Sequence, residues 1–280
     1  MNLSQAIAAA GMTPPARIVS GRWMRFPGVG KGRSNRSGWC KLITPTLAVF
    51  GDWSSDFSAT WHDEAQVDAE TAAKQLEKAR AQAREYARQQ RQHQARAADT
   101  AARMIREATM STHPYLVRKG FPNLLGLVHQ DKLLVPVRDA TDYASIISVQ
   151  TIDANGVKKF LPGGRTRCGV YRIGVIPGHA RRVVLCEGYA TALSIHAALQ
   201  RLPGPNAVIV CFSAGNLETV AKYFPAALVA ADHDESKRGE QAAIATGLKW
   251  CMPPEIGDFN DMDQKHGLHA VIEVLRNAGH

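Results

Sequence analysis

Residues 226–243 read AALVAADHDESKRGEQAA. A run of small and apolar residues stops at Asp232-His233-Asp234, and a polar turn then leads into a stretch of helical composition. An apolar run without alternation reads as a strand buried on both faces, the form that strands take in parallel sheets. The neighbouring chain repeats the pattern. RRVVLCEG (181–188), AVIVCFSAG (207–215) and AALVAADHD (226–234) are strand-like. They alternate with the helix-like YATALSIHAALQRL (189–202), NLETVAKYF (216–224) and KRGEQAAIATGLKW (237–250). This predicts an α/β fold with a parallel sheet covered on both faces.

In such sheets chemistry gathers at the carboxyl ends of the strands. Each predicted strand ends in a polar signature: Glu187-Gly188, Ser213-Ala214-Gly215-Asn216 and Asp232-His233-Asp234. Successive strand residues point to opposite faces, so Asp232 and Asp234 share a direction while the strand lasts. His233 then points away from both and is assigned no role. Two like charges this close raise each other's pKa unless a cation neutralises them. Carboxylates without nearby thiols favour Mg2+ or Mn2+. GDFNDMD (257–263) adds Asp258, Asn260, Asp261 and Asp263. Metal-binding carboxylates beside a basic surface suit phosphoryl transfer on nucleic acid. Gly215 and Asn216 read as a strand-end turn, with a nucleotide contact as the alternative.

The charge distribution supports a polyanion partner. The net charge of +9 is uneven: +5 over residues 1–62, +1 over 63–110, +5 over 111–180 and −2 over 181–280. A basic front half would hold the polyanion and an acidic back would act on it. The five cysteines (Cys40, Cys168, Cys186, Cys211, Cys251) are scattered and never spaced CxxC, so neither a disulfide framework nor a zinc site is expected. No apolar run is long enough to cross a bilayer, and MNLSQAIAAAGMTPPARIV lacks the features of a secretory signal, so the expected location is cytoplasmic, without membrane contact.

Residues 17–61 are rich in Gly, Ser, Trp and Phe, with short apolar alternations that read as β structure with tight turns. Arg22, Arg25, Lys31, Arg33, Arg36 and Lys41 are interleaved with Trp23, Phe26 and Trp39. Rings beside cations suit single-stranded nucleic acid, although a small β core is the expectation for most of these aromatics. GVGKGRS (28–34) does not satisfy a phosphate-binding GxxxxGK[ST] loop. Residues 63–110, dominated by Ala, Gln, Arg and Glu, predict one long or two shorter exposed helices acting as a spacer. Between 111 and 180, THPYLVRKG predicts a short capped helix, and KLLVPVRD, ASIISVQTID, VKKFLPGG and GVYRIGVI an antiparallel meander. Four segments result: a small basic β-rich unit (1–62), a helical spacer (63–110), a basic α+β subdomain (111–180) and a parallel-sheet domain (181–280).

VVLCEG followed by a helix, ALVAADHD followed by GEQAA, and GDFND together resemble a Toprim domain. The pattern is most similar to DnaG-type primases of plasmids and phages, and YLVRKG…LLVPVRD…SVQTIDANGVKKFLPGG resembles the segment that precedes Toprim there. The resemblance covers roughly residues 111–265. It implies a DNA primase that makes short RNA primers on single-stranded DNA from NTPs by metal-dependent nucleotidyl transfer. Glu187 would be a general acid/base or an indirect metal holder. Asp232 and Asp234 would bind Mg2+ or Mn2+, and Asp258 would add a further metal carboxylate. Arg138, Lys158 and Lys159 would guide template and nucleotides. Lys237, just before a helix, would meet a phosphate. Thr191 stands where many relatives have an aspartate, and the Cys/His zinc module of bacterial replicative primases has no counterpart. A replicative helicase, if a partner, would sit on a separate chain. The alternatives are a Toprim nuclease and a non-catalytic nucleic-acid-binding accessory protein that keeps the fold.

Overall fold

The structure is a computed structural model and describes residues 1–55, 57–63 and 69–279. It divides into two compact units, Met1–Gln90 and Arg91–His280.

The first unit opens with helix α1 (Leu3–Ala9), whose Asn2 cap and Gln5 close a reciprocal capping box. Strands β1 (Trp23–Phe26), β2 (Gly38–Thr44), β3 (Leu47–Asp52) and β4 (Phe57–His62) follow as an antiparallel sheet in sequence order. One face of this sheet meets α1 through Phe26, Cys40, Ala48 and Phe50, packed on Leu3 and Ile7. Asp52 is buried and accepts hydrogen bonds from the Val29 and Ser54 amides, both at 2.9 Å, which fixes the loop between β1 and β2.

The predicted spacer is a single 39-residue helix, α2 (Ala69–Glu107), and residues 64–68 of that prediction lie outside the described residues. It is not exposed throughout. In the second unit Ala97 and Ala101 are buried, and Ala101, Met104 and Ile105 pack on Leu134 and Val149. Alanines on one face let the helix lie close to a sheet without a large apolar stripe, which is why its composition reads as solvent-facing.

The second unit continues with β5 (Thr109–Ser111), α3 (Pro114–Arg118), β6 (Gly126–His129), β7 (Lys132–Asp139), β8 (Ile146–Ile152), β9 (Lys158–Phe160) and β10 (Gly169–Gly174). It is completed by β11 (Arg182–Cys186), α4 (Tyr189–Leu199), β12 (Asn206–Val210), α5 (Ala214–Ala221), β13 (Leu228–Ala230), α6 (Arg238–Thr246), β14 (Trp250–Cys251) and α7 (Phe259–Asn277). All ten strands form one sheet. Strands β14, β13, β11 and β12 run parallel in that spatial order, and β10 joins β12 antiparallel to link them to the meander.

The parallel strands are apolar on both faces because both are covered. Val184, Cys186, Val208, Val210, Leu228 and Ala230 pack under α4 and α7, while the alternate residues Leu185, Ile209, Cys211, Val229 and Ala231 pack under α5 and α6. The expected helix through Trp250 stops earlier. Gly247 takes a left-handed φ of 70° and ends α6, which frees Trp250 to pair with Val229. Among the described residues no helix is long and apolar enough to cross a membrane.

Asn216, read as a turn residue or a nucleotide contact, is instead a structural clasp. Its side-chain amide donates to the carbonyls of Gly169 (2.7 Å) and Cys211 (2.8 Å), and its oxygen accepts from the Cys168 amide (2.8 Å). The buried side chain thereby ties the start of β10 to the residue after β12. Asn216→Ala would strand these backbone groups, and we expect a loss of about 2–4 kcal/mol in chemical denaturation of the second unit.

Candidate active site

Three carboxylates reach the carboxyl edge of the parallel strands, and each is placed by a different device. Glu187 directly follows β11. The strand pairing runs on past Cys186, with the Cys211 amide on the Cys186 carbonyl (2.8 Å) and the Phe212 amide on the Glu187 carbonyl (2.9 Å). Phe212 then turns the chain with a left-handed φ of 67°. The Glu187 carboxylate accepts from the amide of Ala214, the first residue of α5. A carboxylate at a helix N-terminus is favourably placed.

Asp232 follows β13 by two residues. The strand itself ends at Ala230, although the Ala231 amide still bonds the Cys251 carbonyl at 2.8 Å. His233 then exchanges two backbone hydrogen bonds with Gly257, at 3.0 and 2.9 Å, and its Nδ1 meets the Pro253 carbonyl at 3.0 Å. This exchange brings the chain after β13 against the residue before Asp258. Asp258 is the N-cap of α7: its Oδ1 accepts from Asn260 N (2.7 Å) and Asp261 N (2.9 Å). Gly239 packs against the Asp232 backbone so closely that a Cβ there would lie 2.4 Å from the Asp232 carbonyl oxygen.

Asp234 is held differently. The expectation that Asp232 and Asp234 share a direction depended on a continuing strand, and the strand has ended. The Asp234 carboxylate accepts from the Ser236 hydroxyl and from the Gly239 amide (3.2 Å), capping the first turn of α6. The hydroxyl and the amide hold its pKa below the usual carboxylate value. Of the GDFNDMD residues, Asp258 lies with Asp232, while the others serve structure. Asp261 completes the α7 capping box and pairs with Lys119 at 3.4 Å. Asp263 accepts from the Ser194 hydroxyl (2.7 Å), and Asn260 donates to Ser194 and to the Lys119 carbonyl. Thr191 is buried in α4.

The predicted cations separate. Lys158 acts electrostatically on both Glu187 and Asp232. It gets there because Phe160 of β9 meets Phe212 edge-on, with ring centroids 5.7 Å apart. Arg238, which the sequence reading did not single out, also reaches Glu187. Its signal would have been its place at the first residue of α6. Lys237 precedes it with a left-handed φ of 56° and lines a cleft of about 260 Å³ together with Asp232, Asp234 and Glu240. Lys159 is exposed and, next to Lys158 on β9, faces the other side of that strand. Arg138 is committed to its own turn. It donates to the carbonyls of Tyr143 and Ala144 (both 3.1 Å) and lies 5.3 Å from the Tyr143 ring, which Arg172 approaches at 4.3 Å.

The electrostatics mark Asp232. Burial, reinforced by the charges of Asp258, Glu187 and Asp234 and opposed by Lys158, pushes its carboxyl up to about 7. Glu187 is also raised, first by burial and then by Asp234, against Lys158, the Ala214 amide and Arg238. Among the described residues no three His, Cys, Asp or Glu side chains form a ready ligand set. The sheet explains why. Register pairs Cys186 with Ala230, so Glu187 falls in phase with Ala231, and Asp232 leaves the sheet in the opposite phase, on the α7 side.

The residues still fit a hard divalent cation. Asp232 Oδ1 is buried and has no hydrogen-bond partner, next to a second carboxylate. Mg2+ is commonly held by one or two carboxylates, with water and substrate phosphates completing its shell. Asp232 and Asp258 supply such a pair.

Residues 182–269 match the family model described as Toprim domain. The chain carries a Toprim domain. The chain is 29% identical over 212 residues to DNA primase TraC of Escherichia coli, an alignment covering 66% of this chain and 19% of that protein. The chain therefore spans about a fifth of the length of this relative. Among solved structures, it is similar to a chain in the bacteriophage T7 lagging-strand DNA polymerase interacting with primase domains bound to an RNA/DNA hybrid and dTTP. The TM-score is 0.43 at 14% identity, covering 61% of this chain and 93% of that one. Against the DnaG primase catalytic domain bound to ssDNA the TM-score is 0.40 at 13% identity, over 52% and 51% of the two chains.

The raised Asp232 carboxyl has a consequence for the Toprim domain's stability. A folded-state pKa of about 7 against 3.8 unfolded means that the native state holds more protons between those values. Stability in metal-free buffer therefore falls as pH rises through that window. Asp232→Asn removes this loss, and its amide can donate to Asp258. We expect the variant to gain about 1–3 kcal/mol at about pH 8 in EDTA, seen as a melting temperature a few degrees higher, with the difference vanishing below about pH 4.

Proposed function

We propose that the second unit is the catalytic part of a DNA primase, joining NTPs on a single-stranded DNA template by nucleotidyl transfer. The observation that carries this reading is the carboxylate edge of the Toprim domain. Glu187, Asp232 and Asp258 are held there by three separate elements, with Lys158 acting on two of them. In the reaction a primer 3′-hydroxyl attacks the α-phosphate of the incoming NTP, the new P–O bond forms, and pyrophosphate leaves.

Each residue has a task in that step. Asp232 and Asp258 would hold Mg2+ or Mn2+, which would neutralise the charge developing on the transferring phosphate. Glu187, raised by burial and held in place by the Ala214 amide, is suited to accept the hydroxyl proton. Lys158 and Arg238, which both act on Glu187, would offset the triphosphate charge. Lys237, at the start of α6 beside the cleft, would contact a phosphate. Asp234 shapes the turn that carries Lys237 and Arg238, so its role is positioning. Arg138 and Lys159 would bear on the template strand, Arg138 through the turn that it holds.

A basic meander joined to an acidic Toprim edge is also consistent with a plasmid- or phage-type replication protein, with template and NTPs as partners and a helicase on a separate chain. A second reading, a non-catalytic nucleic-acid-binding protein, is favoured by two observations: Asp234 caps the first turn of α6, and Thr191 supplies no carboxylate.

Primer synthesis separates the readings. Purified chain, single-stranded DNA, NTPs and Mg2+ or Mn2+ are expected to yield short oligoribonucleotides on a denaturing gel. Asp232→Ala should lower the yield by about 10²-fold or more, and Lys158→Ala should raise the apparent KM for NTPs several-fold. Equal product from wild type and Asp232→Ala, or none from either, would overturn the catalytic proposal. Loss of labelled strand without NTPs would assign a nuclease instead.

A further inference from the structure

The first unit carries a second feature that the Toprim chemistry does not use. Its sheet has one face on α1, and the opposite face presents Trp23 and Arg25 of β1, Trp39 and Lys41 of β2, and Gly51 of β3. Register sets Trp23 opposite Lys41, Arg25 opposite Trp39, and Trp39 opposite Gly51. The alternate residues Met24, Phe26, Cys40, Leu42 and Phe50 belong to the core side. Trp39 lies over Gly51, where a Cβ would fall 2.6 Å from the indole. Trp23 meets Trp39 edge-on and Trp53 meets it at a 33° tilt, each with ring centroids 5.3 Å apart.

The row is unequal in exposure. Trp39 is 8% exposed, whereas Trp23 and Trp53 are 55% and 60% exposed. The cations sit between the rings. Lys41 Nζ lies 5.6 Å from the Trp23 ring and the Arg25 guanidinium 5.5 Å from Trp53. Beside Trp23 a groove of about 600 Å³ continues the surface past Lys41, Ile43 and Val49 to Arg80 and Tyr86. Residues 1–62 hold seven Lys/Arg against two Asp/Glu, and the buried Asp52 carboxylate is committed to the Val29 and Ser54 amides.

Three properties decide the occupant. The exposed rings offer flat apolar faces, the cations alternate with them, and among the described residues no Asp or Glu lines the groove. A duplex keeps its base faces stacked inside and offers only phosphates and groove edges, with nothing to stack on an exposed ring. An apolar protein segment would cover Arg25 and Lys41 without supplying an anion to either. A single nucleic-acid strand brings unstacked bases and phosphates together, and base–aromatic stacking tolerates any sequence. We propose that the first unit is a separate binding site for single-stranded DNA, with bases on Trp23 and Trp53 and phosphates on Arg25 and Lys41. This stands apart from the catalytic reading, because it needs neither metal nor NTP.

The test uses the full chain in EDTA and a fluorescently labelled oligothymidylate of about 20 nucleotides, followed by anisotropy across a salt series. Trp23→Ala with Trp53→Ala should weaken binding by at least about tenfold, and Trp23→Phe with Trp53→Phe should restore most of it. Arg25→Gln with Lys41→Gln should weaken binding and flatten the salt dependence by roughly one in logarithmic slope. The proposal is overturned if the folded double alanine variant binds within about twofold of wild type, or if a duplex of the same length competes equally well. Should the alanine variant fail to fold, an unchanged affinity and salt slope for the Arg25/Lys41 variant overturns it instead.

Discussion

Two backbone hydrogen bonds between His233 and Gly257 hold the acidic edge together. Strand β13 is only three residues long and ends before Asp232, so the sheet itself does not bring that carboxylate to the head of α7. The exchange does, because Gly257 immediately precedes the N-cap Asp258 and adopts a φ of 137° that few other residues accept. From that clasp follow the closeness of Asp232 to Asp258, the burial of Asp232 Oδ1 and the upward pull on its carboxyl. Like charges are costly to gather, and a short two-bond bridge in the main chain is a rigid way to hold them.

The edge is asymmetric, and the asymmetry comes from strand phase. Glu187 exits β11 on the side of α5 and is steadied by the Ala214 amide, while Asp232 exits toward α7. The site is thus two electrostatically coupled carboxylate positions, with Lys158 reaching both from β9. The antiparallel meander earlier in the chain is therefore part of the edge. Without the contact between Phe160 and Phe212, Lys158 would be one more lysine on an exposed hairpin.

The first unit applies the same rule of alternation to a different end. One set of side chains on its four strands fills a small core with α1, and the other set is a row of indoles and cations. A sheet that packs on one side only must do something with the second. Here two of the three indoles in the row stay more than half exposed, which gives that face chemical character beyond solubility.

The parallel sheet was legible because apolar runs such as VVLC and AVIVC have no polar phase, which only burial on both faces tolerates. The place of the carboxylates was legible for the same reason, since polarity returns where the strands end. Which of them face one another was not legible. Asp232 and Asp234 look equivalent in DHD, yet one is buried beside Asp258 and the other caps α6, because the strand ends at Ala230, before the period-of-two argument can reach either of them. Arg138 and Lys158 look alike as basic residues of a meander, yet long-range ring packing carries one to the edge and local carbonyls hold the other in its turn. The aromatics of the first unit divide similarly: Phe26 enters the core and Trp23 stays outside, a choice made by strand register and α1. Local pattern settles which residues want burial, because transfer from water is a property of each side chain. Partnership between distant residues is decided only when the whole backbone has closed, since it depends on contacts that no short window of sequence contains.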